Sequence, residues 1–238
     1  MVIIMEWLNK WFDTLYNTFI VKDRYKTLID GFEKTIIITI GALIIGVIIG
    51  TIVAVIKVFA ANNKKSVVLK ILDKICNIYI TVIRGIPVVV QLLISFFIIF
   101  STAQDGTWVA IITFGVNSGA YVAETIRSGI MAIDFGQTEA GRSLGFNYMQ
   151  TMWHIILPQA FKNILPAIGI EMIALLKETS VAGYVAVVDI TKAGNQIKNT
   201  TYDQVNPILL VALVYLIMVV LMTKLLGVLE RRLRKSER

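Results

Sequence analysis

TIIITIGALIIGVIIGTIVAVI, residues 35–56, contains no charged side chain. An α-helix of about 20 residues is long enough to cross the hydrocarbon core of a bilayer, so this stretch predicts a membrane span. Small residues recur at every fourth position within it, at Ala42, Gly46, Gly50 and Ala54. Because such a stripe lets a second helix approach closely, the stretch also predicts the face on which the span packs.

The rest of the chain has the same apolar character. Of its 238 residues 56% are hydrophobic and 16% are charged, whereas a soluble domain has about 25% charged residues. The chain is therefore predicted to be an integral membrane protein. Its net charge of +7 would suit nucleic acid, but the basic residues lie mostly at the edges of apolar runs. Anionic lipid head groups and membrane topology account for that placement, so we expect contact with membrane lipid and no nucleic acid partner.

Cysteine and histidine are too scarce for redox or metal chemistry. Cys76 is the single cysteine, which excludes an internal disulfide framework, and His154 is the single histidine. One histidine cannot form a metal site by itself, so we expect no metal site and no catalytic residues of this kind.

Four further spans follow from the same criterion. They are one long helix over about 75–104, bent at Gly85-Ile86-Pro87, and helices over about 107–126, 158–176 and 204–223. Pro87 supports the bend because it lacks a backbone N–H and crowds the carbonyl four residues earlier. The span at 158–176 contains Lys162, Pro166 and Glu171, so we expect other helices to shield it from lipid. The predicted fold class is an all-α membrane bundle of about five transmembrane helices.

The distribution of basic residues predicts the orientation of these spans. Five spans place the two termini on opposite sides, and the larger share of Lys and Arg favours a cytoplasmic C-terminus and an external N-terminus in the inner or plasma membrane. Residues 1–34 interleave aromatic and charged side chains, which predicts an amphipathic helix in the interface rather than a cleaved signal peptide. We therefore divide the chain into this interfacial segment, a single transmembrane domain over 35–231 and a basic cytoplasmic tail over 232–238.

A soluble-looking stretch, EAGRSLGFNYMQTMWHIILP at 139–158, lies on the cytoplasmic side in this topology. Thr138 can cap a helix start and Gly145 is a natural stop, so we predict a short helix over about 138–146. A helix of this length is marginal by itself and needs a surface on which to dock.

The same stretch resembles the EAA loop of ABC-importer permeases, which reads E-A-A, three residues, G, nine residues, I-x-L-P. The matching positions are Glu139, Ala140, Gly145, Ile155, Leu157 and Pro158. Gly141 departs from the pattern, because the family usually has a second alanine there, and we expect it to loosen the helix slightly. Other segments resemble the polar amino acid branch of the family: Arg84 to Pro87, Ala120 to Glu124 with Arg127, Leu157 to Ala160, and Lys177 to Ser180.

The resemblance implies a set of partner proteins. In such permeases the EAA helix inserts into a groove on a separate cytoplasmic ATPase subunit, and the transporter carries two of these subunits. The implied coupling residues here are Glu139, Ala140, Gly141, Leu144, Gly145, Leu157 and Pro158. The chain has no G-x-x-x-x-G-K-[ST] motif, so we expect no cofactor in this chain, and ATP and Mg on the ATPase.

The size of the chain predicts further partners. Five spans form half of an enclosed pathway, which predicts a two-fold dimer with a second permease subunit, most simply a homodimer. The external segment before Asn206 is long for a connector. We expect it to meet an extracytoplasmic solute-binding protein or to close the cavity.

Polar side chains at bilayer depth indicate the ligand. Each ionisable group there costs about 2.5–3.5 kcal/mol on insertion scales and calls for an explanation. Asn117, Tyr121 and Glu124 share one helical face, as do Arg84 and Gln91 on another span. A cavity lined by a cation and by acids suits a zwitterionic amino acid. The alternative is that Arg84 and Glu124 simply pair with each other.

The outer end of the fourth span adds further candidates. Lys177-Glu178-Thr179-Ser180 could offer backbone donors and hydroxyls to a ligand carboxylate, although an ordinary interfacial cap would look the same. A surplus of acids at Glu124, Glu171, Glu178 and Asp189 would suit a basic side chain. The predicted substrate-binding residues are Arg84, Gln91, Asn117, Tyr121, Glu124, Glu178, Ser180, Asp189 and Asn195.

The sequence therefore predicts the permease subunit of an ATP-driven importer that carries a polar, basic amino acid by alternating access, and not an enzyme. An intramembrane hydrolase is disfavoured because no Ser-His or paired-Asp arrangement is visible. An ion-driven secondary transporter is the alternative, and five spans without an internal repeat speak against it.

Overall fold

The computed structural model describes residues 2–63 and 65–234, which form helices joined by short turns. In chain order the α-helices are α1 (Val2–Leu15), α2 (Tyr25–Asn62), α3 (Val67–Gly85), α4 (Val88–Ile94), α5 (Gly106–Met131), α6 (Phe135–Ser143), α7 (Tyr148–Thr151), α8 (Leu157–Glu178), α9 (Ile190–Thr201) and α10 (Asn206–Arg234). The described residues contain no strand. The predicted all-α membrane bundle is confirmed.

The most extensive helix contact joins α2 to α5. Gly46 of α2 lies against Ser118 of α5, and Gly50 lies against Val122. A Cβ on Gly50 would lie 2.6 Å from Cγ1 of Val122, so the two backbones approach as closely as glycine allows. The predicted small-residue face of the first span is confirmed, and its partner is α5. Residue numbers increase together along this contact, so α2 and α5 are parallel.

Parallel packing means that the chain must return across the bundle between α2 and α5. The return is made by α3, α4 and the π-helical turn Ser95–Ile99. The predicted single bent helix is wrong in one respect: α3 and the helix that follows it meet at 103°, which is a break rather than a kink. The physical reason is that Ile86 and Pro87 both have extended ψ angles, of 130° and 136°, between the two helices.

Three described helices, α2, α5 and α10, have the length and apolar composition of membrane spans, and the broken pair makes up to four. The predicted fourth span, over about 158–176, corresponds to α8, which is not among them. Its packing places α8 at the same level of the bundle as α5, to which it is antiparallel. Gly129 lies against Ile164, and Ser118 lies 3.3 Å from Oε1 of Glu171. Since α10 contacts α8 on another side, other helices shield part of its polar surface.

We call the end of the bundle at which α2 and α5 finish the lower end, and the other the upper end. One apolar cluster fills the upper half, where α2, α4, α5, α8 and the 3₁₀ segment Thr179–Val185 meet. Phe114 and Leu175 are fully buried in it. A second cluster, centred on Val122 and Ala160, joins α2, α5 and α8 in the lower half. These two clusters pack the helices together and so fix the positions of the polar residues between them.

The chain ends differ from the predicted segments. The helix α2 begins at Tyr25, so the predicted boundary at residue 34 falls inside a continuous helix. The segment before it contains positive φ angles at Lys22 and Asp23. At the other end α10 runs to Arg234, and the remainder of the predicted tail, 235–238, lies outside the described residues.

Replacing Gly50 with valine should destabilise the bundle, because the new side chain would overlap Val122. Overpacking costs about 1–3 kcal/mol, so we expect a lower unfolding temperature for the detergent-solubilised protein. Gly227→Val in α10 is the matched control, since a Cβ there would meet nothing within 4 Å. Equal unfolding temperatures for the two variants would contradict the α2–α5 contact.

Candidate functional site

A polar cavity of about 440 Å³ lies between α2, α3 and α5 toward the lower end. Its polar and charged lining residues are Lys57, Asp73, Asn77, Thr81, Arg84, Glu124 and Arg127. Four of them lie on α3 at three- and four-residue spacing, which puts them on one helical face. The cavity therefore has a charged wall from α3 facing charged groups from α2 and α5.

Two of the predicted ligand residues, Arg84 and Glu124, line this cavity together. They do not form an ion pair. Nε of Arg127 donates to the two carboxylate oxygens of Glu124 at 3.1 and 3.2 Å, and a second guanidinium nitrogen makes a shorter contact. The guanidinium of Arg84 lies over the Tyr121 ring, 4.9 Å from its centroid. The alternative in which Arg84 and Glu124 pair with each other is therefore not the observed arrangement.

The cavity also contains residues that we did not predict. Nζ of Lys57 lies 3.6 Å from Oδ1 of Asp73 and contacts the side-chain oxygen of Asn77. With Arg84, Glu124 and their neighbours, the lining holds three cations and two acids. The spacing of Asp73, Asn77 and Thr81 along α3 is a sequence signal for this wall, although the predicted apolar span began only at about residue 75. Lys57 lies on α2 and has no part in that spacing.

Gln91 and Asn117 are buried and hydrogen-bonded to the protein. Nε2 of Gln91 donates to the carbonyls of Ile83 and Ile86, at 2.7 Å each, and its Oε1 accepts a bond of 3.2 Å from Asn117. Their exposed fractions are 8% and 4%. Both amides thus bridge the helix break and α5, and neither residue lines the cavity.

Three other predicted residues meet at the upper end. Ser180, Asp189 and Asn195 line a second cavity of about 250 Å³ beside α9. The Asp189 carboxylate caps α9, accepting from the backbone N–H groups of Thr191 at 2.9 Å and Lys192 at 3.2 Å. Burial raises the pKa of Asp189 despite these bonds.

The predicted ligand residues thus form two groups rather than one. The backbone of Asp189 meets the upper part of α2 at Gly31, whereas the first cavity includes Lys57 of the same helix. These two points of α2 are about 39 Å apart at 1.5 Å per residue. Glu178 is the last residue of α8, half-buried, and lines neither cavity.

The predicted short helix exists as α6, but it begins earlier than expected. Asp134, not Thr138, is its N-cap, and Oδ1 of Asp134 accepts from the Gly136 N–H at 2.6 Å. Its C-terminus is a Schellman motif, in which Gly145 has φ of 86° and the Phe146 N–H bonds the Gly141 carbonyl at 3.1 Å. Gly145 is therefore the predicted stop.

The exposed side of α6 carries three of the predicted coupling residues. Glu139, Ala140 and Leu144 are exposed, and the exposed fraction of Leu144 is 76%. Gly141 is buried on the opposite side, where a Cβ would lie 2.7 Å from Cγ2 of Thr151. The expectation that Gly141 merely loosens the helix is thus incomplete, because the missing methyl group also lets α6 pack closely on the chain that follows.

The remaining coupling residues connect α6 to the bundle. Leu157 and Pro158 begin α8, immediately after the π-helical turn Met152–Ile156 on which α6 packs. A further cavity of about 580 Å³ lies beside α6, and Lys57 and Arg127 line both this cavity and the polar one. The short helix and the polar cavity are thus structural neighbours.

The fold and these cavities define a multi-pass membrane permease. Residues 46–235 match the family described as binding-protein-dependent transport system inner membrane component. The chain is similar to the arginine transport system permease protein ArtQ of Bacillus subtilis (strain 168), with 34% identity over 213 residues, which cover 88% of this chain and 94% of ArtQ. It is also similar to the probable glutamine ABC transporter permease protein GlnM of that organism, with 33% identity, covering 92% and 99% of the two chains.

Solved structures agree with these relatives. The crystal structure of an amino acid ABC transporter with histidines has a TM-score of 0.81 and 37% identity, and the match covers 90% of this chain and 98% of that one. The MetNI methionine ABC transporter, in an inward-facing conformation, shares the fold with a TM-score of 0.75 at 22% identity, over 88% and 97% of the chains.

The chain belongs to the family of binding-protein-dependent transport system inner membrane components, as the EAA-like pattern predicted. It is the permease subunit of a type I amino acid ABC importer, a translocation subunit rather than an enzyme.

Proposed function

We propose that this permease imports a basic amino acid by ATP-driven alternating access and that Arg84 binds the ligand carboxylate. The observation that carries the proposal is the state of Arg84 in the polar cavity. Its guanidinium faces the Tyr121 ring, and the described residues offer it no ion-pair partner within 4.0 Å. A cation held in a cavity without a paired acid is suited to a carboxylate ligand.

Two acids support a basic side chain in the ligand. Glu171 and Glu178 are half-buried on α8, and within the described part of the chain neither forms an ion pair. They are seven residues apart, so they project from the same helical face. Neither acid lines the polar cavity that contains Arg84, so they would meet a cationic ligand group at another point of its path through the bundle. The relative named as an arginine permease is consistent with this choice.

A neutral ligand such as glutamine is the second candidate. The observation that favours it is the pairing of Glu124 with Arg127, which removes Glu124 as a free negative charge. The lining of the polar cavity then has no acid available for a ligand cation, since Asp73 is paired with Lys57. The relative named as a probable glutamine permease fits this candidate.

The substitutions Glu171→Gln and Glu178→Gln should distinguish a basic ligand from a neutral one. A desolvated charge-assisted hydrogen bond is worth about 1.5–3 kcal/mol, so we expect arginine uptake to weaken roughly 10- to 150-fold while glutamine uptake is little changed. The measurement is uptake of labelled arginine and glutamine by proteoliposomes that contain this permease and its partner subunits.

Glu33→Gln is the matched control, because Glu33 is exposed outside the bundle core. If the wild-type transporter takes up glutamine but not arginine, the neutral ligand is established instead. Unchanged arginine uptake in both acid variants would remove Glu171 and Glu178 from the ligand site.

We also propose that α6 is the coupling helix, which docks on a separate ATPase subunit that binds ATP and Mg. Its exposed Glu139, Ala140 and Leu144 would face the groove, while buried Gly141 fixes the helix to the permease. Because Lys57 and Arg127 line both the cavity beside α6 and the polar cavity, a movement of α6 can be transmitted to the polar cavity over a short distance. Two such ATPase subunits would act on a dimer of permeases, and a homodimer is the simplest form.

The proposed orientation puts α6 in the cytoplasm and α9 outside, with the N-terminus external. The upper cavity, lined by Ser180, Asp189 and Asn195, would then open toward an extracytoplasmic solute-binding protein. Ser180 and Asn195 would meet the ligand there before it reaches the polar cavity, whereas the fully buried Asp189 would hold α9 in place as its N-cap.

Ala140→Trp should weaken the binding of the ATPase subunit, because a groove that accepts a methyl group has no room for an indole. We expect loss of co-purified ATPase and of ATP-driven uptake, with the permease still inserted and folded. Gln196→Trp on the exposed face of α9 is the control for an added indole. Normal ATPase binding by Ala140→Trp would exclude α6 as the docking element.

A further inference from the structure

The break between α3 and α4 leaves backbone carbonyls that a continuous helix would satisfy. In such a helix the carbonyl of Ile83 would accept the N–H of residue 87, but Pro87 has none. The Val90 N–H, which would bond the Ile86 carbonyl in a continuous helix, bonds the Pro87 carbonyl at 2.9 Å instead. A carbonyl buried without a donor costs about 1–3 kcal/mol, so the break needs a substitute donor.

The side chain of Gln91 is that donor. Its amide nitrogen has two N–H groups, and it lies 2.7 Å from the carbonyl oxygens of both Ile83 and Ile86. These two residues lie on either side of Arg84 and Gly85, at the end of α3 and in the break. One amide group thus closes both sides of the interruption.

The remaining oxygen of Gln91 connects the break to α5. It accepts a bond of 3.2 Å from Asn117, and both side chains are buried. Tyr121, which faces the Arg84 guanidinium, lies one helical turn after Asn117 on the same helix. Arg84 and the break are therefore connected to α5 by two separate contacts: Gln91 bonds Asn117, and the Arg84 guanidinium lies over the Tyr121 ring.

We propose that Gln91 is a positioning residue, which fixes the break between α3 and α4 and so holds Arg84 on the wall of the polar cavity. Both of its N–H groups and its oxygen are engaged within the protein, so it acts through Arg84 and does not bind the ligand. Gly85 is not the determinant of the bend, since a Cβ there would meet nothing within 4 Å and its φ is not positive. The link to transport rests on the proposed role of Arg84.

The direct test is a distance between spin labels on either side of the break. Labels at Val67 and Ile98, whose exposed fractions are 68% and 71%, would be placed in a Cys76→Ala background of the full transporter. Gln91→Met keeps a similar side-chain volume and removes the amide, so the distance distribution should shift or broaden. Gly85→Ala is the matched control and should leave it unchanged. An unchanged distribution in Gln91→Met overturns the proposal.

If Gln91→Met does not assemble, Gln91→Glu replaces it in the same measurement. A carboxylate has the shape of the amide but no N–H to donate to the two carbonyls. The label distance should therefore shift, and an unchanged distance contradicts the proposal here as well.

Uptake measurements test whether Gln91 acts through Arg84. With labelled arginine as the probe, Gln91→Met should raise KM about 10-fold. The double variant that carries both Gln91→Met and Arg84→Gln should have the same KM as Arg84→Gln alone, because Gln91 has no effect once Arg84 is removed. If the KM increases of the two single variants multiply in the double variant, Gln91 does not act through Arg84. If no form of the transporter, wild type included, carries arginine or glutamine, the proposed function fails, while the label distances still decide the role of Gln91.

Discussion

The parallel contact of α2 and α5 is the constraint on which the rest of the bundle depends. Gly46 lies against Ser118 and Gly50 against Val122, in the same order along both helices, so the two helices share one direction and one level. The chain must then cross back between them, and α3 and α4 do so with a break of 103°. That crossing places the polar face of α3 beside the lower halves of both parallel helices, where the charged cavity forms.

The polar groups inside this frame have three different roles. Gln91 and Asn117 satisfy the backbone at the break, which is necessary because an unpaired carbonyl is costly away from water. Lys57 and Glu124 are paired with Asp73 and Arg127 on the cavity wall. Arg84 differs from both groups, since its contact is an aromatic face, and this difference is what makes it the best candidate for binding an anionic ligand group.

Much of the fold could be predicted from local sequence, and less of the site. Charge-free runs and the small-residue stripe reveal spans and a packing face, because bilayer thickness and close approach each require a specific composition. The pairing of Glu124 with Arg127 rather than Arg84 depends on which rotamer meets which neighbour, and helical periodicity does not determine that. Likewise, helix propensity marks Gly141 only as a weakened helix position, because its close contact with Thr151 depends on the tertiary structure.

If α8 crosses the membrane despite its charged residues, α6 and α9 lie on opposite sides of the bilayer. Single cysteines at Phe135 in α6 and Gln196 in α9, both exposed, would be placed in a Cys76→Ala chain. A membrane-impermeant maleimide should label Gln196→Cys in right-side-out vesicles and Phe135→Cys only in inside-out vesicles. Labelling of both positions from the same side would contradict the account.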